Sequence, residues 1–109
     1  MTLTIPVKSR SEYVDSIVQE DMTRCYLCGR RDRKLDRHEI FPGAYRSKSK
    51  SLGLWVLLCH SDCHEGNNGV HRNAELSRRL RQDAERKALE HYGWFVKDFI
   101  REFGKNYLD

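Results

Sequence analysis

The sequence predicts a small α+β domain in which two strands stapled by zinc are preceded by one helix and followed by two more. Three observations carry that expectation. Two cysteine pairs, Cys25 with Cys28 and Cys59 with Cys63, bracket a stretch rich in basic residues. An apolar run at 54–58 ends on the second pair. Beyond it Leu76, Leu80, Ala84 and Ala88 step by four, the spacing of one helix face. A length of 109 residues suits one domain. A core of that size is modest, and small domains often add a metal staple. The expected parts are an N-terminal extension over 1–24, a zinc-bound core over 25–72 and C-terminal helices over 73–109.

Residues 2–7 alternate weakly, as a short edge strand ended by Pro6 would. Ser9 and Glu12 make a capping box, and Tyr13, Val14, Ile17 and Val18 follow at helical spacing, so a helix is expected up to Glu20. Cys25-Tyr26-Leu27-Cys28-Gly29 has the outline of a zinc knuckle. Two intervening residues let both thiolates reach one ion at about 2.3 Å, and glycine tolerates the tight turn.

Residues 35–41 alternate as a strand, with Leu35, Arg37, Glu39 and Phe41 on one face and Asp36, His38 and Ile40 on the other. Pro42-Gly43 breaks it, and 44–53 reads as a loop. The run at 54–58 is apolar on both faces and predicts a buried strand. Cys59 and Cys63 have three residues between them, within the range of zinc pairs. Residues 65–69 form a turn. A helix is expected over 73–92, with Arg72, Glu75, Arg79, Arg86 and Glu90 outward and Gly93 as its stop. A last helix over 94–103 carries Phe95, Phe99 and Phe103 as one stripe and ends at Gly104.

Hydrophobic residues make up 39% and charged residues 33%, which suits a soluble folded domain. No apolar run approaches the roughly 20 residues of a membrane helix. The start of the chain lacks the pattern of an export signal, so a reducing cytosol is expected, where cysteines bind metal more readily than they pair. The formal charge is +4, and residues 29–50 alone carry eight bases against three acids. Arg37, Arg46, Lys48 and Lys50 in that segment are candidate contacts to a polyanion, DNA above all.

Four thiols in such a compartment point to structural Zn²⁺ on Cys25, Cys28, Cys59 and Cys63. His38 is a candidate general base, because an unperturbed imidazole takes a proton near neutral pH. The alternative is a structural histidine or a zinc ligand on the hairpin. His60 or His64 could replace a cysteine at the zinc. Glu39 could reach a metal or face solvent, and His71 could be a metal ligand, a phosphate contact or a helix-start residue.

The order of these parts resembles the HNH endonucleases, a ββα-metal fold, and most of all the small HNH proteins of phages and prophages. The resemblance runs from Cys25 to Leu108. It rests on the cysteine pairs, on Arg37-His38-Glu39-Ile40-Phe41 with Gly43, on Arg46, Ser49 and Gly53-Leu54, and on Val56, Leu58 and Cys59. Gly69-Val70-His71 and the ending 103–108 complete it.

It implies a metal-dependent nuclease acting on DNA with weak sequence preference, in the cytoplasm of a bacterial host. His38 would be the base. Mg²⁺ or another divalent ion would sit on His64 with Asp36 and His71, and Glu39 would assist. The chain departs from the family at Arg37, where an acidic ligand is common, and at Tyr45, where an Asn is expected. Asp36 or Glu39 would then substitute, or His38 would be the ligand and Glu39 the base. The rival expectation is a zinc-stapled binding or interaction module that kept the fold and lost catalysis.

Overall fold

The apolar run packs its backbone into an antiparallel pair. In the computed structural model, which describes residues 13–108, β1 (Leu35–Glu39) lies against β2 (Trp55–Cys59). The register sets Leu35 opposite Cys59, His38 opposite Val56 and Glu39 opposite Trp55. Val56 and Leu58 are fully buried, as expected of a strand apolar on both faces. The architecture is α+β: this two-stranded sheet, several helices and short turns between them.

The connection between the strands is more ordered than a loop. A 3₁₀ turn, Gly43–Tyr45, leads into α1 (Arg46–Ser51). Ser49 explains the order. Fully buried, it accepts the Phe41 N–H at 3.2 Å and donates to the Leu54 carbonyl at 2.5 Å, closing the connection on itself. The alternation of Ser and Lys at 47–51 carries no apolar signal, so only the tertiary position of Ser49 reveals the helix.

The helix expected up to Glu20 is absent from the described part of that segment, and residues 2–12 of the N-terminal expectations lie outside the described residues. Residues 13–20 form neither helix nor strand but an irregular segment with bends, its polar groups spent on Ser16, on the sheet and on the α1–β2 connection. Val14 N–H donates to Lys50 and Ile17 N–H to Gly53, at 3.2 and 2.9 Å. The Trp55 indole donates to the Val14 carbonyl at 2.7 Å, and the buried Gln19 side chain accepts the Leu57 N–H at 2.9 Å. Such bonds satisfy the backbone as well as a helix would.

After β2 the chain makes one π-helical turn, His60–His64, a loop, and a 3₁₀ turn, Val70–Arg72. The loop is tight: a Cβ on Gly66 would lie 2.4 Å from the Asp62 carbonyl oxygen, so only glycine fits. Next comes α2 (Ala74–Tyr92), capped by the Asn73 side chain and stopped at Gly93 with φ 66°. Leu80, Ala84 and Ala88 are fully buried along it.

The last helix, α3 (Val96–Phe103), starts two residues later than expected. Phe95 is its N-cap and is 71% exposed, so it leaves the aromatic stripe, and Trp94 is buried instead. Phe99 packs edge-on and Phe103 tilted against Phe41, just beyond the end of β1, with ring centroids 5.6 and 4.5 Å away. No helix among the described residues is long and apolar enough to cross a membrane.

Candidate metal centres and a histidine cleft

The four cysteines converge. The knuckle at 25–29 turns at Gly29, whose φ is 78°, and docks on the sheet through the Tyr26 N–H to Leu57 at 2.8 Å. Cys59 ends β2, and its sulfur accepts the Cys63 N–H at 3.3 Å, which starts the π turn. Cys28 Sγ lies 3.7 Å from Cys59 Sγ, and all four sulfurs fall within 4.8 Å of one another. Sulfurs on a tetrahedral zinc stand about 3.8 Å apart for bonds near 2.3 Å, so the spacing fits that ion, and a disulfide needs a far shorter contact. Neither His60 nor His64 belongs to this cluster, which the thiols complete by themselves.

The thiols resist a shared negative charge. Burial raises the pKa values of Cys28 and Cys63, and neighbouring sulfurs push Cys63 further up. Burial opposes ionisation of Cys25 too, but backbone hydrogen bonds led by that from Cys28 outweigh it and bring the thiol down to about 7. A divalent cation among them would remove that conflict, since it binds thiolates and offsets their repulsion. The geometry could therefore staple zinc.

The second grouping lies where β1, the π turn and the 3₁₀ turn meet. Strand alternation puts Asp36 and His38 on one face, the π turn supplies His60 and His64, and the 3₁₀ turn supplies His71. His64 is the hinge of the arrangement. Its Nδ1 stands 2.9 Å from Asp36 Oδ2, and its Nε2 stands 3.0 Å from His71 Nε2. His38 packs edge-on to both rings, at 5.2 Å from His64 and 5.3 Å from His71 between centroids. Asp36 Oδ2 also meets His60 Nδ1 at 2.5 Å.

Donor atoms thus form two sets that share one ring: His38, His64 and His71 on one side, and Asp36, His60 and His64 on the other. The expected trio of His64, Asp36 and His71 is divided between them, because Asp36 and His71 meet opposite nitrogens of the same imidazole.

His38 is buried, and its pKa is lowered from 6.5 to about 4 by desolvation first and then by His64 and His71. At neutral pH it is held unprotonated, and the same shift makes it a weaker base than a free imidazole. Burial would raise the Asp36 pKa, but hydrogen bonds from His64 and His60 outweigh it and keep the carboxyl below its ordinary value.

A cleft of about 350 Å³ opens over this face, lined by Arg37, His38, Glu39, Arg46, His64 and His71 among others. Glu39 belongs to neither donor set. Its carboxylate accepts from the Tyr13 hydroxyl and from Arg46 Nε, the latter at 2.5 Å. Arg37 rests on the rings of Tyr13 and Trp55. Lys50 lies 5.2 Å from the Tyr13 centroid, and Lys48 pairs with Glu102 of α3 at 3.3 Å.

Three participants in the site were not expected from the sequence. His60 was legible in its spacing of four from His64. Glu65, whose carboxylate lies 3.4 Å from His64 and 3.8 Å from His71, has the setting of a turn residue. Tyr13 has the spacing of an apolar helix stripe. No family model matches the chain, and neither a curated protein nor a solved structure matches it.

Proposed function

We propose that the chain is a small metal-dependent endonuclease of the HNH type, hydrolysing DNA phosphodiester bonds, of the kind phages and prophages encode. One observation supports this above the rest. A buried histidine, His38, sits beside two further imidazoles in a cleft edged by two arginines. Neutral His38 takes a proton from a water molecule at the cleft floor. The water oxygen bonds to phosphorus, and the bond to the leaving sugar oxygen breaks. His64 and His71 present facing Nε2 atoms, a nitrogen pair that would suit Ni²⁺ or Mn²⁺ better than the oxygen-seeking Mg²⁺. Bound there, such an ion would supply charge neutralisation at the phosphate. Asp36 holds the far nitrogen of His64 and so fixes which nitrogen faces the cleft. Arg37 and Arg46 grip the phosphate backbone.

The cysteine cluster is a structural zinc site in this reading. A binding or interaction module on the same scaffold is the second reading, favoured by Arg37 and Tyr45 at positions where the resemblance leads one to expect an acid and an Asn. Incubation of the protein with duplex, nicked, branched and single-stranded DNA, each with Mg²⁺, Mn²⁺ or Ni²⁺, separates the two. Cleavage in any combination supports the nuclease. Binding with no cleavage in all of them supports the module.

A further inference from the structure

Three cations gather around one aromatic side chain at the cleft mouth. Arg37 Cζ lies 4.6 Å from the Tyr13 ring centroid and 5.5 Å from that of Trp55. Lys50 Nζ lies 5.2 Å from the same Tyr13 ring. The Tyr13 hydroxyl donates to one oxygen of Glu39, and the other oxygen accepts from Arg46 Nε.

The two arginines are held differently. Arg37 is paired with no carboxylate among the described residues. Stacked on rings, it keeps its N–H edge for a ligand. Arg46 does have a carboxylate, but the Glu39 side chain is 9% exposed and that of Arg46 61%. The acid is inside and the guanidinium outside, so the pair aims Arg46 at solvent. An ion pair so exposed contributes little stability, which leaves positioning as its use. Tyr13 is a lasting donor for this chain. Its pKa is pushed up to about 12 by burial and then by Glu39, so the hydroxyl keeps its proton.

We propose that Tyr13 is the positioning residue of a phosphate clamp, carrying Arg37 on its ring and, through Glu39, aiming Arg46 beside it over the histidine cleft. The ligand is a phosphodiester, whose two free oxygens suit two guanidinium groups. That this phosphodiester belongs to DNA rests on the nuclease reading.

The test is equilibrium binding of a fluorescent duplex DNA oligonucleotide to the full, zinc-containing chain without added divalent ion. Tyr13→Phe keeps the ring under Arg37 and removes only the hydroxyl. It should weaken binding roughly three- to tenfold, the net worth of one ordinary hydrogen bond, since the effect reaches the ligand only through Arg46. Arg46→Ala should weaken it at least as much, and the double variant should bind no worse than Arg46→Ala alone, because Tyr13 acts through Arg46. Tyr13→Ala should lose more than Tyr13→Phe, since Arg37 loses its platform.

The melting temperature of Tyr13→Phe is the control: it should fall by only a few degrees, leaving the variant fully folded at the temperature of the binding measurement. Wild-type affinity in Tyr13→Phe, or losses that multiply in the double variant, would overturn the clamp. A chain that cuts no DNA yet shows the coupled loss keeps the clamp and sinks the nuclease. A chain that cuts DNA with Tyr13→Phe unimpaired does the reverse.

Discussion

His38 is neutral because of where it sits, and its stability cost follows from the same cause. Its folded pKa is about 4 against the ordinary 6.5, through burial first and then repulsion from His64 and His71. Between those values the unfolded chain takes up a proton that the folded chain refuses. Stability therefore falls as pH drops from 6.5 toward 4 and is unaffected by this group above that window. His38→Gln removes the titration. Between pH 7 and 5 the wild type should lose about 2 kcal/mol more than the variant, measured by denaturant unfolding without added divalent ion. Equal losses would mean that His38 titrates normally.

His64 makes a different claim. On the nuclease reading His64→Ala removes a metal ligand and leaves the proposed base, so more divalent ion should be needed for half-maximal cleavage. An unchanged metal requirement would place the ion elsewhere. Glu39→Gln should weaken DNA binding more than it slows cleavage, because Glu39 is engaged with Tyr13 and Arg46 and belongs to neither donor set.

At the scale of elements, the knuckle and the π turn meet on β2, and Cys59 belongs to both the strand end and the turn. Zinc in such a cluster is worth about 10–16 kcal/mol of apparent binding energy in small zinc peptides, comparable to the roughly 5–15 kcal/mol stability of a whole domain. Cys59→Ser should unfold or aggregate the protein, and elemental analysis of the wild type should give one tightly held zinc per chain. A zinc-free preparation that melts as the native protein does would exclude the staple.

The elements legible in the sequence were those with a strong local signal. The apolar run became β2, the four-residue step became α2, and the cysteine spacing brought the sulfurs together. The illegible ones depend on distant partners. Residues 13–20 had helical spacing but found their hydrogen bonds on β2 and α1. The order of α1 hangs on Ser49, whose partners lie eight and five residues away. The site shows the same division. Its histidines stood out by type, whereas the role of Tyr13 depends on Glu39, 26 residues on.

For the molecule as a whole, half of the eight bases of residues 29–50 are paired with acids outside that segment. Arg30 and Arg33 pair with Asp62, Arg31 with Asp21, and Lys48 with Glu102. Arg37 and Arg46 line the cleft, the latter paired with Glu39, and Lys50 stands at its mouth. DNA binding should therefore be steep in salt, and Arg37→Ala with Arg46→Ala should flatten the slope by up to about 0.9 for each phosphate no longer neutralised. Lys48→Ala should leave the slope unchanged. A slope set by Lys48 and indifferent to the two arginines would move the interface away from the cleft.

The proposal that the chain hydrolyses a phosphodiester with His38 as base is tested most directly by single-turnover cleavage. Duplex DNA would be bound to saturation by the wild type and by His38→Ala, with Mg²⁺, Mn²⁺ or Ni²⁺ added. The base acts on the transition state, so the variant should bind DNA as the wild type does and cut it about 10²–10⁴-fold more slowly. A variant that cuts as fast as the wild type, or a wild type that cuts no DNA with any of the three ions, would contradict the account.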